Sequence, residues 1–203
     1  MPAELRALID VLAWAGLRFG EATALRRQSV DLDARRLSID SGYVEAQDSE
    51  GRFRKIEGTP KSHQRRTVML TEQTTEALRD HLDTYVEPQP NALLFAGRKG
   101  TPLWYGAFRR RWDRAVEAAE LPKVTPHDLR ATCISLLISA GADPTAVQHH
   151  VGHADPGVTM RVYSQVNSRG DERLALALSS LQLGAELGAG TESRRKADHT
   201  IAI

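Results

Sequence analysis

Cysteine is nearly absent from this chain: Cys133 is the only one in 203 residues. No intrachain disulfide framework can form, which points to a reducing compartment, and the cytoplasm is the expected location. The setting of Cys133 in the apolar run CISLLI predicts a buried thiol. Long apolar stretches are missing too. Arg6 and Asp10 interrupt the N-terminal one, and no run approaches the roughly 18 residues of a membrane span, so no membrane partner is expected. An excess of either charge is also lacking, with 27 Lys and Arg against 26 Asp and Glu, and the chain as a whole offers no field to attract a polyanion. Repeats and low-complexity blocks are absent from its body. The remainder, 41% hydrophobic and 26% charged, has the composition of a folded globular chain with one sizeable core.

The charge is unevenly placed. Arg52, Arg54, Lys55, Lys61, Arg65 and Arg66 stand against Glu57 alone, and the window from Arg98 to Arg114, with Arg109, Arg110 and Arg111, holds six basic residues against Asp113. Each window carries +5, leaving −9 for the rest of the chain. Two cationic islands on an acidic background suit a face that meets phosphates, and suit solvated helix and hairpin faces equally well.

Leu5, Leu8, Ile9 and Leu12 have the spacing of an amphipathic helix running towards Gly16, and a short helix is expected after Gly20. SVDLDARRLSID and TVML read as short strands. The polar stretch between them, about Ser41 to Gln64, is too long for a tight turn and predicts an extra hairpin or a mobile loop. Ala77, Leu78, Leu82 and Tyr85 mark a helix that Pro88 and Pro90 end, and Trp104, Phe108, Trp112, Ala115 and Val116 form the core face of another. Asp143-Pro144 and Asp155-Pro156 each pair a helix N-cap with a favoured first residue, while Gly141 and Gly152 end the preceding helices. Leu174, Leu178 and Leu181 predict a last helix, followed by a flexible polar tail over 184–203.

Four segments offer chemistry. GLRFGE sets Arg18 between two glycines with Glu21 three residues on, and TPKSHQRRTVML puts Lys61 at a turn before a strand, which alone is an ordinary basic hairpin. In TPHDLRATC, His127 and Arg130 share a face near a helix N-terminus, an arrangement that suits a phosphate and suits a local cap with an ion pair equally. HHVGHADPGVTMRVY supplies His153 and, ten residues on, Tyr163.

Taken in order, Arg18, Lys61, His127, Arg130, His153 and Tyr163 resemble the pattern of the tyrosine recombinase, or phage integrase, family from about Ala3 to Leu181. Two positions depart from it: Ala131 stands where histidine is common and Val151 where leucine usually precedes Gly-His. Neither removes a reacting group. The resemblance implies an α+β, mostly helical catalytic domain over 1–183 with a small antiparallel sheet carrying Lys61. It also implies that the family's extra first helix and N-terminal DNA-clamping domain are missing here.

The roles implied by the resemblance agree with phosphoryl-transfer chemistry. Tyr163 attacks the scissile phosphate of double-stranded DNA, giving a 3′-phosphotyrosyl bond and a free 5′-hydroxyl. A phenol titrating near pH ~10 needs cations beside it to react at neutral pH. Arg18 and Arg130 bring permanent charge and forked donors to the nonbridging oxygens, Glu21 orients Arg18, Lys61 protonates the leaving oxygen, and His127 and His153 assist proton movement. The implied reaction needs no metal, ATP or other cofactor. A homotetramer on DNA, a mainly monomeric free protein and accessory DNA-bending proteins are the implied partners.

Three other readings compete. His149, His150 and His153 imitate a metal cluster, but Gly152 breaks the shared helical face such ligands need and no HExxH glutamate is present. A noncatalytic helix-turn-helix module around Asp143 to Tyr163 leaves Arg18, Lys61 and Tyr163 unexplained. The third is a truncated or decayed recombinase that binds partners without cutting.

Overall fold

The computed structural model describes residues 1–59, 65–97, 100–152 and 155–166. After a 3-10 turn at Ala3–Leu5 come helix α1 (Arg6–Trp14) and the short α2 (Phe19–Ala24). Strands β1 (Val30–Asp31), β2 (Arg36–Ile39), β3 (Gly42–Gln47), β4 (Phe53–Gly58) and β5 (Arg66–Met69) follow, then α3 (Glu72–Tyr85), α4 (Tyr105–Ala118), α5 (Pro126–Ser139), α6 (Pro144–Val151) and α7 (Pro156–Val166). Among the described residues the architecture is the mostly helical α+β one expected, with small antiparallel sheets.

Strand β2 is central in a three-stranded sheet, pairing antiparallel with β1 through Val30 and Leu37 and with β5 through Leu37 and Val68. Leu37, Ile39 and Val68 alternate with exposed or half-buried neighbours and enter the core, as period-two patterning requires. The long polar stretch contains a separate hairpin, β3–β4, in register from Gly42 and Gly58 to Gln47 and Phe53. Lys61 lies outside the described residues, as do His153, the leucines at 174, 178 and 181, and the tail.

The main core joins Leu8, Val11 and Leu12 of α1 to Leu37 and Val68 of the sheet, Leu78 of α3 and Phe108 and Trp112 of α4. A second cluster gathers Ile134 and Ile138 of α5 with Val147 and Val151 of α6. Helix α5 therefore has two buried faces, and α1 and α7 both pack against it. Cys133 is buried, as its apolar setting predicts. The expected inner face of α3 differs at one end: Tyr85 is exposed, while His81 is buried and its Nε2 lies 2.7 Å from the Leu94 carbonyl oxygen. A satisfied imidazole can replace an apolar residue where a loop carbonyl is in reach.

The helix starts follow from capping chemistry. Thr125 and Asp128 form a reciprocal capping box on α5, with Pro126 in the first turn. The Asp143 side chain accepts from Ala146 N–H at the start of α6, and Gly152 ends that helix at φ +70°. Trp112 Nε1 donates to Val124 O at 2.8 Å, fixing the approach to α5.

Helix α2 lies against the β3 backbone so closely that a Cβ on Gly20 would sit 2.3 Å from Tyr43 O. Gly20→Ala must push strand and helix apart, and should destabilise the protein by about 1–3 kcal/mol, lowering its urea midpoint with little change in slope. Gly58→Ala, where a Cβ meets nothing within 4 Å, should stay within about 0.5 kcal/mol of the parent. Equal midpoints for the two variants would contradict the close packing.

Candidate active site

Local backbone geometry places the first arginine. Gly16 turns the chain out of α1 at φ +63°, and Arg18, extended, becomes the N-cap of α2. Glu21, three residues later, folds back so that its Oε2 accepts from the Arg18 backbone N–H at 3.0 Å, half of a capping box. Its Oε1 accepts from Arg18 Nη1 at 3.0 Å. Arg66 reaches the same carboxylate from β5, Nη1 to Oε1 at 3.1 Å and Nη2 to Oε2 at 2.8 Å. Glu21 is 3% exposed. Burial acting alone would push its carboxyl up, but the hydrogen bonds and charges of Arg66 and Arg18 overcome that effect and hold it below the ordinary range.

The two guanidinium groups also meet the end of α6. Arg18 Nη2 donates to Gly152 O at 3.1 Å and Arg66 Nε to His150 O at 3.0 Å. Arg130, on α5, is 3% exposed. Its Nη1 donates to Gly16 O at 2.6 Å, while Nη2 is buried with no hydrogen-bond partner among the described residues. Burial, with repulsion from Arg18, lowers its pKa to about 10, so it stays cationic at neutral pH. Leaving a charged donor buried without an acceptor costs several kcal/mol, and a ligand oxygen removes that cost. His127 is exposed in the first turn of α5. Tyr163 is 37% exposed on α7, a helix that packs on both α5 and α6.

Arg18, Glu21 and Arg130 thus converge around the α1–α2 turn as charged groups. Two further residues join them that sequence reasoning did not assign there. Arg66, expected among exposed phosphate contacts, has a side chain only 8% exposed and is held inside the site. His150, weighed only in the competing metal reading, has its Nε2 buried without a partner among the described residues. Burial, then the nearby Arg66 and Arg130, push its pKa down, so it is neutral. The spacing of both residues carried a partial signal: Arg66 lies two residues before buried Val68 on β5 and His150 three after buried Val147 on α6.

The cationic islands are also altered by folding. Lys55, expected on the outer face, is 6% exposed. Its ammonium donates to Leu103 O and sits within 5.2–5.8 Å of the Phe19, Tyr43 and Trp104 rings; burial lowers its pKa, against the raising effect of Glu45. Arg52 pairs with Glu50, Arg54 with Asp48, Arg65 with Asp40 and Arg109 with Asp113. Arg110 is exposed and Arg111 half-buried. Both line a cleft of about 400 Å³ with Trp104 and Arg114.

The Phage integrase family model matches residues 1–169. The putative prophage phiRv2 integrase of Mycobacterium tuberculosis is 30% identical over 190 residues, which is 92% of this chain and 49% of that protein. The integrase of Mycobacterium phage D29 is 28% identical over 87% of this chain and 47% of its own length. The chain spans about half the length of the curated relatives it matches. Among solved structures, the Tn1549 transposon integrase in complex with transposon right end DNA aligns with a TM-score of 0.71 and 23% identity, over 85% of this chain and 59% of that one. The XerA recombinase aligns at 0.64, with 23% identity over 86% of this chain and 56% of its own. At these identities the likeness is one of fold.

The buried carboxylate gives the protein a definite response to acid. Glu21 binds a proton less readily folded than unfolded, so its stabilisation is complete above the ordinary value of 4.5 and is lost as pH falls through the lower folded value. Glu21→Gln should lower stability at pH 7 by about 3 kcal/mol, as when one partner of a buried pair is removed. It should also flatten the fall in unfolding free energy below about pH 4.5. An unchanged acid slope in the variant would show that another group titrates there.

Proposed function

We propose that this chain, which belongs to the phage integrase family, is the catalytic part of a site-specific recombinase that cuts and rejoins double-stranded DNA through a 3′-phosphotyrosyl intermediate. The observation that carries this reading is the buried Nη2 of Arg130, which has no partner among the described residues, beside an Arg18 clamped by Glu21. Two oriented guanidinium groups with a spare buried donor suit the nonbridging oxygens of a phosphodiester. They stabilise the charge that builds there as the phosphorus passes through five-coordination.

In this reading the Tyr163 oxygen forms a bond to phosphorus as the bond to the 5′-oxygen breaks. Lys61 delivers a proton to the departing oxygen, while His127 and His153 assist proton movement and bond the phosphate. The phosphotyrosyl bond keeps the energy of the phosphodiester, so a 5′-hydroxyl from a partner strand reverses the step and no ATP is consumed. Charge stabilisation comes from arginine, so the step is metal-independent. Residues 1–183 form the catalytic unit. Arg52, Arg54, Arg65, Arg109, Arg110 and Arg111 supply exposed or partly exposed phosphate contacts, the assembly on DNA is a homotetramer, and the free protein is mainly monomeric in the cytoplasm.

A pool of nicked duplexes of random sequence, whose cut strand diffuses away after attack, should capture the protein as a covalent adduct that forms equally well in EDTA. Mass spectrometry should find the DNA-linked peptide at Tyr163. Tyr163→Phe should abolish the adduct and leave noncovalent binding within about twofold, since only the attacking oxygen is lost. Arg130→Ala should slow attachment at least about 100-fold, the usual scale for losing a donor to a charged transition state. Attachment at Tyr43, Tyr85 or Tyr105, or metal-dependent cutting with no adduct, would overturn the proposal.

A further inference from the structure

Arg66 belongs to none of the reacting positions, yet it touches both groups that hold Arg18. It grips the Glu21 carboxylate with two parallel hydrogen bonds at 3.1 and 2.8 Å. It also lies directly under the α6 terminus, where its Nε donates to His150 O at 3.0 Å. A Cβ on Gly152 would come within 2.8 Å of the Arg66 Cζ and Nη1, and the carbonyl of that same glycine accepts from Arg18 Nη2. Every described side-chain partner of Arg18, the carboxylate on one side and the carbonyl on the other, therefore rests on one guanidinium.

The charges follow the same arrangement. Glu21 paired with Arg18 alone would cancel the charge that Arg18 brings to a phosphate. With Arg66 on the same carboxylate, two positive groups share one negative, and the pair keeps a net positive charge beside Arg130. Lysine cannot reproduce this contact, because it lacks the forked donors that engage both carboxylate oxygens and a carbonyl together. The burial of Arg66 separates this role from the surface contact its sequence position suggests.

We propose that Arg66 is a positioning residue for strand cleavage: it orients Arg18 through Glu21 and the Gly152 carbonyl, keeps the site cationic, and does not touch DNA. This rests on the recombinase reading above. The test compares the parent, Arg66→Lys, Arg18→Lys and the double variant, each confirmed as folded by its melting curve, on the nicked duplex pool. In Arg66→Lys the rate of Tyr163 attachment should fall about 100-fold, as for other small misplacements of a reacting group. The affinity for intact duplex should change less than about threefold, because no phosphate contact is lost. On the Arg18→Lys background, adding Arg66→Lys should slow attachment by less than about threefold, since the group it orients is already gone. Multiplicative losses in the double variant would reveal a general structural role and overturn the proposal. So would a parental rate in Arg66→Lys, or a loss of affinity for intact duplex as large as the loss of rate. A parent protein that forms no adduct would overturn the recombinase reading and this inference together, whereas an active parent with an equally active Arg66→Lys overturns this inference alone.

Discussion

One buried carboxylate, Glu21, organises the cluster of arginines at the candidate site. Taking Glu21 out of water is tolerable only because four N–H groups from Arg18 and Arg66 converge on its two oxygens. That requirement joins elements far apart in the chain: the start of α2, the start of β5 and, through the remaining donors of both arginines, the end of α6. Charge balance gives the cluster its chemical character. Three guanidinium groups, those of Arg18, Arg66 and Arg130, face one carboxylate, and the surplus is positive. A positive surplus of that kind suits an anion, and among the described residues the Nη2 of Arg130 has no hydrogen-bond partner.

The helices around the cluster keep it rigid by ordinary packing. Helix α5 stands between the two hydrophobic clusters. It turns Arg130 and Cys133 towards the α1–α2 turn, where a Cβ on Gly16 would lie 3.2 Å from Cys133 Sγ, and Ile134 and Ile138 towards α6. Because α7 packs on α5 and α6, Tyr163 is carried by the helices that position Arg130 and the Gly152 turn. The β3–β4 hairpin is fastened to the same side through Gly20 and through Lys55 among three aromatic rings. Two of the cations that looked free to meet phosphates, Lys55 and Arg66, thus hold the protein to itself.

Periodicity and capping made much of the fold legible in the linear chain. The stripe Leu5, Leu8, Leu12 is buried as its spacing requires, Trp112 and Phe108 lie in the core, and the two Asp-Pro steps precede α6 and α7. These signals are local: a turn of helix or a pleat imposes its period within a few residues, and a cap needs only its own neighbours. The ordered motif set around Arg18, His127, Arg130 and Tyr163 was legible for a different reason, since its order along the chain resembles that of a known family.

Pairing between distant residues is not written in that way. Arg65 and Arg66 are adjacent and chemically identical in the sequence, yet Arg65 is exposed beside Asp40 while Arg66 is buried on Glu21. Strand alternation sends neighbouring side chains to opposite faces, and only the packed sheet decides which face meets the carboxylate. His150 likewise sits beside exposed His149 on one short helix, yet it is half-buried with its Nε2 buried. The sequence by itself determined the helices, the caps and the inventory of candidate site residues. The tertiary structure decided which cations are buried and paired, because those pairings depend on three-dimensional neighbours far apart in the chain.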